Sequence, residues 1–118
     1  MPLSADATAL ERLAARRDLV ERRLALVESR LTDVRDARKD WTDEEHDPEG
    51  FALTFEWQQA QGASTEHRAE LDEVDAAEAR VHSGTYGTCT VCQLEIPDAQ
   101  LELLPTRTAC VACVDRRR

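Results

Sequence analysis

The chain has 118 residues, 42% apolar, 33% charged and only 4% aromatic, with a formal net charge of −9. About a third of the apolar residues are alanines, and Leu, Ile, Val and Phe make up about a fifth of the sequence, the level at which compact cores begin to fail. A conventional enzyme core is excluded on these grounds, and the negative charge disfavours adhesion to nucleic-acid phosphates or an anionic membrane. No run of about 18 apolar residues occurs, and the amino-terminal Met1-Pro2-Leu3-Ser4 has neither the basic flank nor the apolar stretch of a signal peptide, so a cytoplasmic location is expected.

Between Leu3 and His46 there is neither Gly nor Pro, and Ala, Leu, Arg and Glu fill the segment, a composition that favours helix. Leu10, Leu13, Val20, Leu24, Val27, Leu31 and Val34 keep one heptad register that only Arg17 interrupts, and its continuation reaches Arg38 and Trp41. The pattern predicts a coiled-coil arm, about 45 Å long for roughly thirty residues of helix.

Helix-breaking and acidic residues gather between Trp41 and Gly50. Pro48 disfavours helical geometry at Asp47 but suits the first turn of a new helix with Asp47 as its N-cap; Asp47-Pro48-Glu49-Gly50 equally fits a type I turn. The chain reverses in either case. From Phe51 to Val81 a poorer seam follows, comprising Leu53, Trp57, Ala60, Ser64, His67, Leu71 and Val74, with Gly62 near its middle. Two such arms joined by a short loop form an antiparallel hairpin in which each buries the stripe of the other. Leu31 is then expected near Trp57, Val20 near His67 or Leu71, and His67 is a seam residue in preference to a ligand. Trp41 and Trp57 also fall on the seam. Twelve acids against Arg68 and Arg80 lie between Trp41 and Ser83, so the acidity belongs to the loop and second arm.

All four cysteines fall in two pairs, Cys89-Thr90-Val91-Cys92 and Cys110-Val111-Ala112-Cys113, with 17 residues between them. Two such knuckles are a strong tetrahedral metal signature, because a two-residue gap lets two thiolates point at one ion. Zinc is the favoured metal, one ion held by Cys89, Cys92, Cys110 and Cys113; two disulfides, a rubredoxin-like iron site or a redox pair are the competing readings. Four protein ligands leave no open position, so the zinc is expected to be structural, supplying folding energy to a tail whose sizeable apolar groups are Leu94, Ile96, Leu101, Leu103 and Leu104. Gly84 is expected to cap the second arm and Gly87 to turn the chain into the first knuckle. No nucleophile–base pair, phosphate loop or open metal site is visible, which argues against an enzyme. The expected fold is mainly α: an antiparallel coiled-coil hairpin over residues 1–83 with an acidic tip near 42–50, then a small zinc finger over 84–118 with a short basic tail.

The string Gly84-Thr85-Tyr86-Gly87-Thr88-Cys89-Thr90-Val91-Cys92, followed by Ile96, Leu101, Pro105, Cys110 and Cys113, resembles the four-cysteine zinc finger of DksA/TraR-type transcription factors. Asp47-Pro48 followed by Ala52 resembles the tip motif of the same family. The resemblance implies a protein that binds RNA polymerase directly, without sequence-specific DNA contacts, and inserts its coiled-coil tip into the secondary channel to modulate initiation. Asp47, Glu49 and Ala52 are the implied tip contacts.

Three features depart from the family. Gly50 stands where the tip pattern has its second aspartate, with Glu49 beside it. Members that respond to ppGpp use basic residues near the finger end of the hairpin, whereas this second arm carries Glu66, Glu70 and Glu73 with only Arg68 and Arg80, so ppGpp dependence is not expected. Only Val114 to Arg118 follow the last cysteine, which leaves the family's C-terminal helix nearly absent. The alternative reading is a zinc-stabilised coiled-coil adaptor that binds another protein or itself. A nucleic-acid-binding zinc ribbon is disfavoured by the net charge.

Overall fold

The computed structural model describes residues 2–39 and 48–117, with side chains over 5–37 and 52–116. Its elements are α1 (Pro2–Lys39), α2 (Pro48–Ser83), α3 (Asp98–Leu103) and α4 (Val111–Arg117). Among the described residues there is no strand, and extended backbone pairs at a single antiparallel bridge between Thr88 and Glu95. The architecture is thus mainly α, two long packed helices followed by a four-cysteine segment, as the periodicity and cysteine spacing predict. The second helix begins at Pro48, which favours the helical reading of the Asp-Pro string over the turn; Asp47 and Trp41 lie outside the described residues.

Two compact units divide the chain, one made of residues 19–71 and the other of 1–18 with 72–118. In the first, the three-four spacing brings one face of each helix inward. Val20, Val34, Ala60 and Ser64 are buried, while Leu24, Val27, Leu31, Leu53, Trp57, His67 and Leu71 are half-buried. His67 sits in this seam, 3.1 Å from Glu70 Oε1 through Nδ1. Arg68 donates to Glu28 at 2.6 Å, and the Arg35 guanidinium lies 5.8 Å from the Trp57 ring centroid. These pairs set the later part of α1 against the earlier part of α2, so the helices run antiparallel.

Arg35, four residues and about one helical turn beyond Leu31 on the same face, places its guanidinium over the Trp57 ring. A heptad pattern selects the inward face of a helix. It does not set the offset along the axis, because a slide of one repeat preserves the same face.

In the other unit the start of α1 meets the end of α2. Ala9, Leu13, Val74, Ala77 and Val81 form one buried cluster, with Leu10 and Tyr86 packed against it. Four of these five buried residues are alanine or valine, which makes this a shallow core that works because small residues let two helices approach closely. Arg17, the interruption of the seam, donates to Asp75 and, at 3.2 Å, to Glu78. The seam position is thereby occupied by the stem of a side chain whose head is neutralised.

Candidate metal centre

The second helix ends as its glycine dictates. Gly84 has φ +80°, the Gly84 N–H reaches the Val81 carbonyl at 3.2 Å, and the Thr85 N–H reaches the Arg80 carbonyl at 2.9 Å. These are the two bonds of a Schellman motif, and they satisfy carbonyls the helix end would otherwise leave open. Gly87, at φ +84°, then turns the chain into the first knuckle, where its carbonyl accepts from Ile96 N–H at 2.7 Å. A Cβ there would also meet Leu101 Cδ1 at 3.5 Å.

Within the knuckle Cys89 N–H donates to the Leu94 carbonyl at 2.8 Å and Gln93 N–H to the Cys89 carbonyl at 3.0 Å, with Gln93 itself in the left-handed region at φ 65°. The tight loop aims backbone donors at sulfur: Cys89 Sγ accepts from the N–H groups of Val91 at 3.4 Å, Cys92 at 3.5 Å and Cys110 at 3.4 Å. The second knuckle is tied to the first by Thr90 N–H donating to the Thr108 carbonyl at 2.9 Å, and α4 carries Cys113 inward on its first turns.

All four sulfur atoms lie within 4.8 Å of one another, and those of Cys92 and Cys110 are 4.0 Å apart. Four thiolates at about 2.3 Å from a tetrahedral zinc are roughly 3.8 Å apart, so the cluster is of the right size for one ion. Cys89 and Cys113 are buried and Cys92 and Cys110 half-buried. Backbone N–H groups of Cys92 and Cys110 pull the Cys89 thiol down to about 6. Cys113 is pushed up to about 12, first by its hydrogen bond to Cys110 and then by burial. The thiolate is thus favoured at Cys89, while neighbouring sulfurs and burial oppose the charge at Cys113. That is the electrostatic demand a dication meets.

The apolar support is small. Cys89, Ile96, Leu101, Ala109 and Cys113 form the buried cluster, with Tyr86, Cys92, Cys110 and Val114 against it. Of the five apolar residues expected to serve the tail, Ile96 and Leu101 are buried and Leu104 is half-buried, whereas Leu94 and Leu103 are exposed. Other contacts compensate. Tyr86 Oη donates to the Pro105 carbonyl at 2.7 Å, Arg80 donates to the Thr106 carbonyl at 3.3 Å, and Arg12 makes a bidentate pair with Asp98 at 2.8 and 3.2 Å. Sequence reasoning missed these three side chains and missed α3. Pro97-Asp98 was the available signal for that helix, a proline ahead of an acid in the first turn.

Residues 84–117 match the family of prokaryotic dksA/traR C4-type zinc fingers. The chain carries a DksA/TraR-type finger. Its four-sulfur cluster therefore serves one structural zinc, with no ligand position left for water. Over 47 residues, 40% of this chain, the sequence is 38% identical to an uncharacterized protein of Aquifex aeolicus (strain VF5), and the aligned part spans 32% of that protein. The chain thus matches about a third of the length of this curated relative. The fold is similar to the structure of transcription factor DksA2 from Pseudomonas aeruginosa, with a TM-score of 0.77 over 97% of this chain and 83% of that one, at 21% identity. The DksA/TraR-type finger thus sits on the helical scaffold that its resemblance implied. The tip residues are less fully placed: Ala52 is exposed on α2, Glu49 lies in the first turn of that helix, and Asp47 lies outside the described residues.

Proposed function

We propose that this protein is a non-enzymatic transcription regulator of DksA/TraR type that binds RNA polymerase directly and inserts the loop end of its helical hairpin into the secondary channel to modulate initiation. The observation that carries the reading is the conjunction of a DksA/TraR-type finger with the ends of two long antiparallel helices in one compact unit. In this reading residues 1–83 are the hairpin and 84–118 the finger with its basic tail, and Cys89, Cys92, Cys110 and Cys113 are the four zinc ligands. The zinc holds the finger together and takes no part in chemistry. The 38 residues of α1 correspond to about 57 Å of helix, enough to reach down a channel.

Asp47, Glu49 and Ala52 are the tip contacts. Glu49 suits the start of α2, where the helix dipole favours a carboxylate. An acidic tip is chemically matched to the basic and metal-bearing surroundings of a polymerase active centre. Glu66, Glu70 and Glu73 on α2 make this arm a poor receptor for ppGpp, and dependence on that nucleotide is not expected. The protein acts in the cytoplasm; among the described residues no helix is long and apolar enough to cross a membrane.

The test is binding of the zinc-loaded protein to purified core RNA polymerase. Micromolar or tighter association is expected, and Asp47→Ala should reduce the effect on transcription while leaving that association largely intact. Absence of binding to core enzyme would overturn the reading in favour of an adaptor with another partner.

A further inference from the structure

We infer that the arm docks on its partner through one stripe of α1, formed by Leu19, Arg23, Leu26 and Arg30, and that the surface it meets is acidic with an apolar recess. The inference rests on the polymerase reading above and assigns the face that reading leaves open.

These four residues follow each other in steps of four, three and four, so they share one helix face, each lying one residue before a seam position and therefore about 100° round from the seam. Leu26 is 74% exposed, Leu19 is half-buried, and Arg23 and Arg30 are exposed. Leu26 is three residues from Arg23 and four from Arg30, so one leucine is flanked on both sides by a guanidinium. Among the described residues none of the ion pairs reaches Arg23 or Arg30, although Arg12, Arg17 and Arg68 each hold a carboxylate. Asp33 ends the stripe.

The sign of this face is opposite to that of the chain. Residues 19–71 carry Glu56, Glu66 and Glu70 on α2, with Arg68 as that helix segment's one basic residue. An acidic partner surface approaching α2 is repelled; approaching the α1 stripe, it gains two unengaged guanidiniums and a leucine already out of the fold. Arginine is enriched at the energetic centres of interfaces, because guanidinium is weakly hydrated and forms bidentate pairs with carboxylates; Leu26 between the two adds apolar area. Like charges elsewhere on the arm would then fix which side faces the partner. Two other occupants are chemically conceivable: the acidic α2 face of a second copy, and nucleic-acid phosphates.

The experiment uses the full zinc-loaded chain and nucleic-acid-free core RNA polymerase, with binding measured across a salt titration. Arg23→Glu/Arg30→Glu should weaken binding about tenfold or more at low salt and flatten its salt dependence. Leu26→Ala should weaken it about fivefold at every salt concentration, because its contribution is apolar. Glu66→Gln should not weaken it. All four side chains replaced are exposed, so far-UV circular dichroism should be unchanged and a loss of binding is a loss of contact. Binding by both α1 variants equal to that of the wild type would overturn the inference. So would a wild-type dimer in sedimentation, or wild-type affinity for single strands, that Arg23→Glu/Arg30→Glu abolishes while polymerase binding persists. A wild-type protein with no affinity for polymerase overturns the functional reading itself, a failure seen before any variant is made.

Discussion

Residues 19–71 hold together with four buried side chains among those described, Val20, Val34, Ala60 and Ser64, none larger than valine. The unit of 1–18 with 72–118 instead joins a cluster around Leu13 and Val74 to a second one that includes the cysteines themselves. The contrast follows from backbone accounting. A pair of long helices satisfies its peptide groups internally and needs only a thin seam to stay paired. A finger of knuckles and two short helices leaves many peptide groups to be bonded across loops, so it draws on metal ligation, on side chains such as Tyr86 and Arg80 that bond distant carbonyls, and on the Arg12–Asp98 clamp.

That contrast can be broken most forcefully at the metal. Removing zinc with a strong chelator, or replacing Cys113 with Ser, should cost on the order of 10 kcal/mol of binding energy that is also folding energy. Amide exchange over 84–117 should rise towards unprotected rates while 19–71 keeps its protection and most of the helical circular dichroism. Loss of both together would show that the two units do not differ in this way. Next in size, Leu13→Ala empties a fully buried site and should cost about 2–5 kcal/mol in urea unfolding. Leu31→Ala, at a half-buried seam position, should cost roughly half as much, because less of the side chain leaves an apolar site.

Tyr86→Phe keeps the ring and deletes the bond to the Pro105 carbonyl, for a loss of about 1 kcal/mol in thermal unfolding. A smaller effect is expected at Asp98→Asn, and it carries a pH signature. The Arg12 guanidinium holds the Asp98 carboxyl below the ordinary carboxylate range, first through the hydrogen bond and then through charge. A carboxyl lowered in the folded state contributes fully above its unfolded pKa and loses the contribution as pH falls through the folded value. At equal zinc loading, the stability gap between wild type and Asp98→Asn should therefore be open at neutral pH and close in strong acid. The smallest change belongs to the arm: Arg68→Ala removes an exposed pair with Glu28 and should cost about 0–0.5 kcal/mol, vanishing in molar salt.

Much of the fold was legible because its signals are local and repeated. The seam positions Leu13, Val20, Val34, Ala60, Ser64 and Val74 all came out buried, and Gly84 and Gly87 both adopt the left-handed backbone their places demanded. The four cysteines were legible as a cluster because each two-residue gap already lets the two sulfurs of a knuckle converge on one ion. The short helix at the second knuckle carries no such signal. The seven residues of α4, Val111–Arg117, start inside the knuckle and include the buried Cys113, which no cap or period announces.

The amino-acid sequence by itself determined which faces of the two helices turn inward, where the second helix stops, and that four sulfurs can meet at one ion. The first two depend on residues within a few positions of one another, and the third on two knuckles of that span set 17 residues apart. Only the tertiary structure decided the axial register that sets Arg35 over Trp57, the choice of Ile96 and Leu101 over Leu94 and Leu103 for burial, and the clamp between Arg12 and Asp98, 86 residues apart. Those outcomes turn on which distant surfaces meet. A repeating pattern is unchanged by a slide along the helix, and a loop leucine has no period to say which way it points.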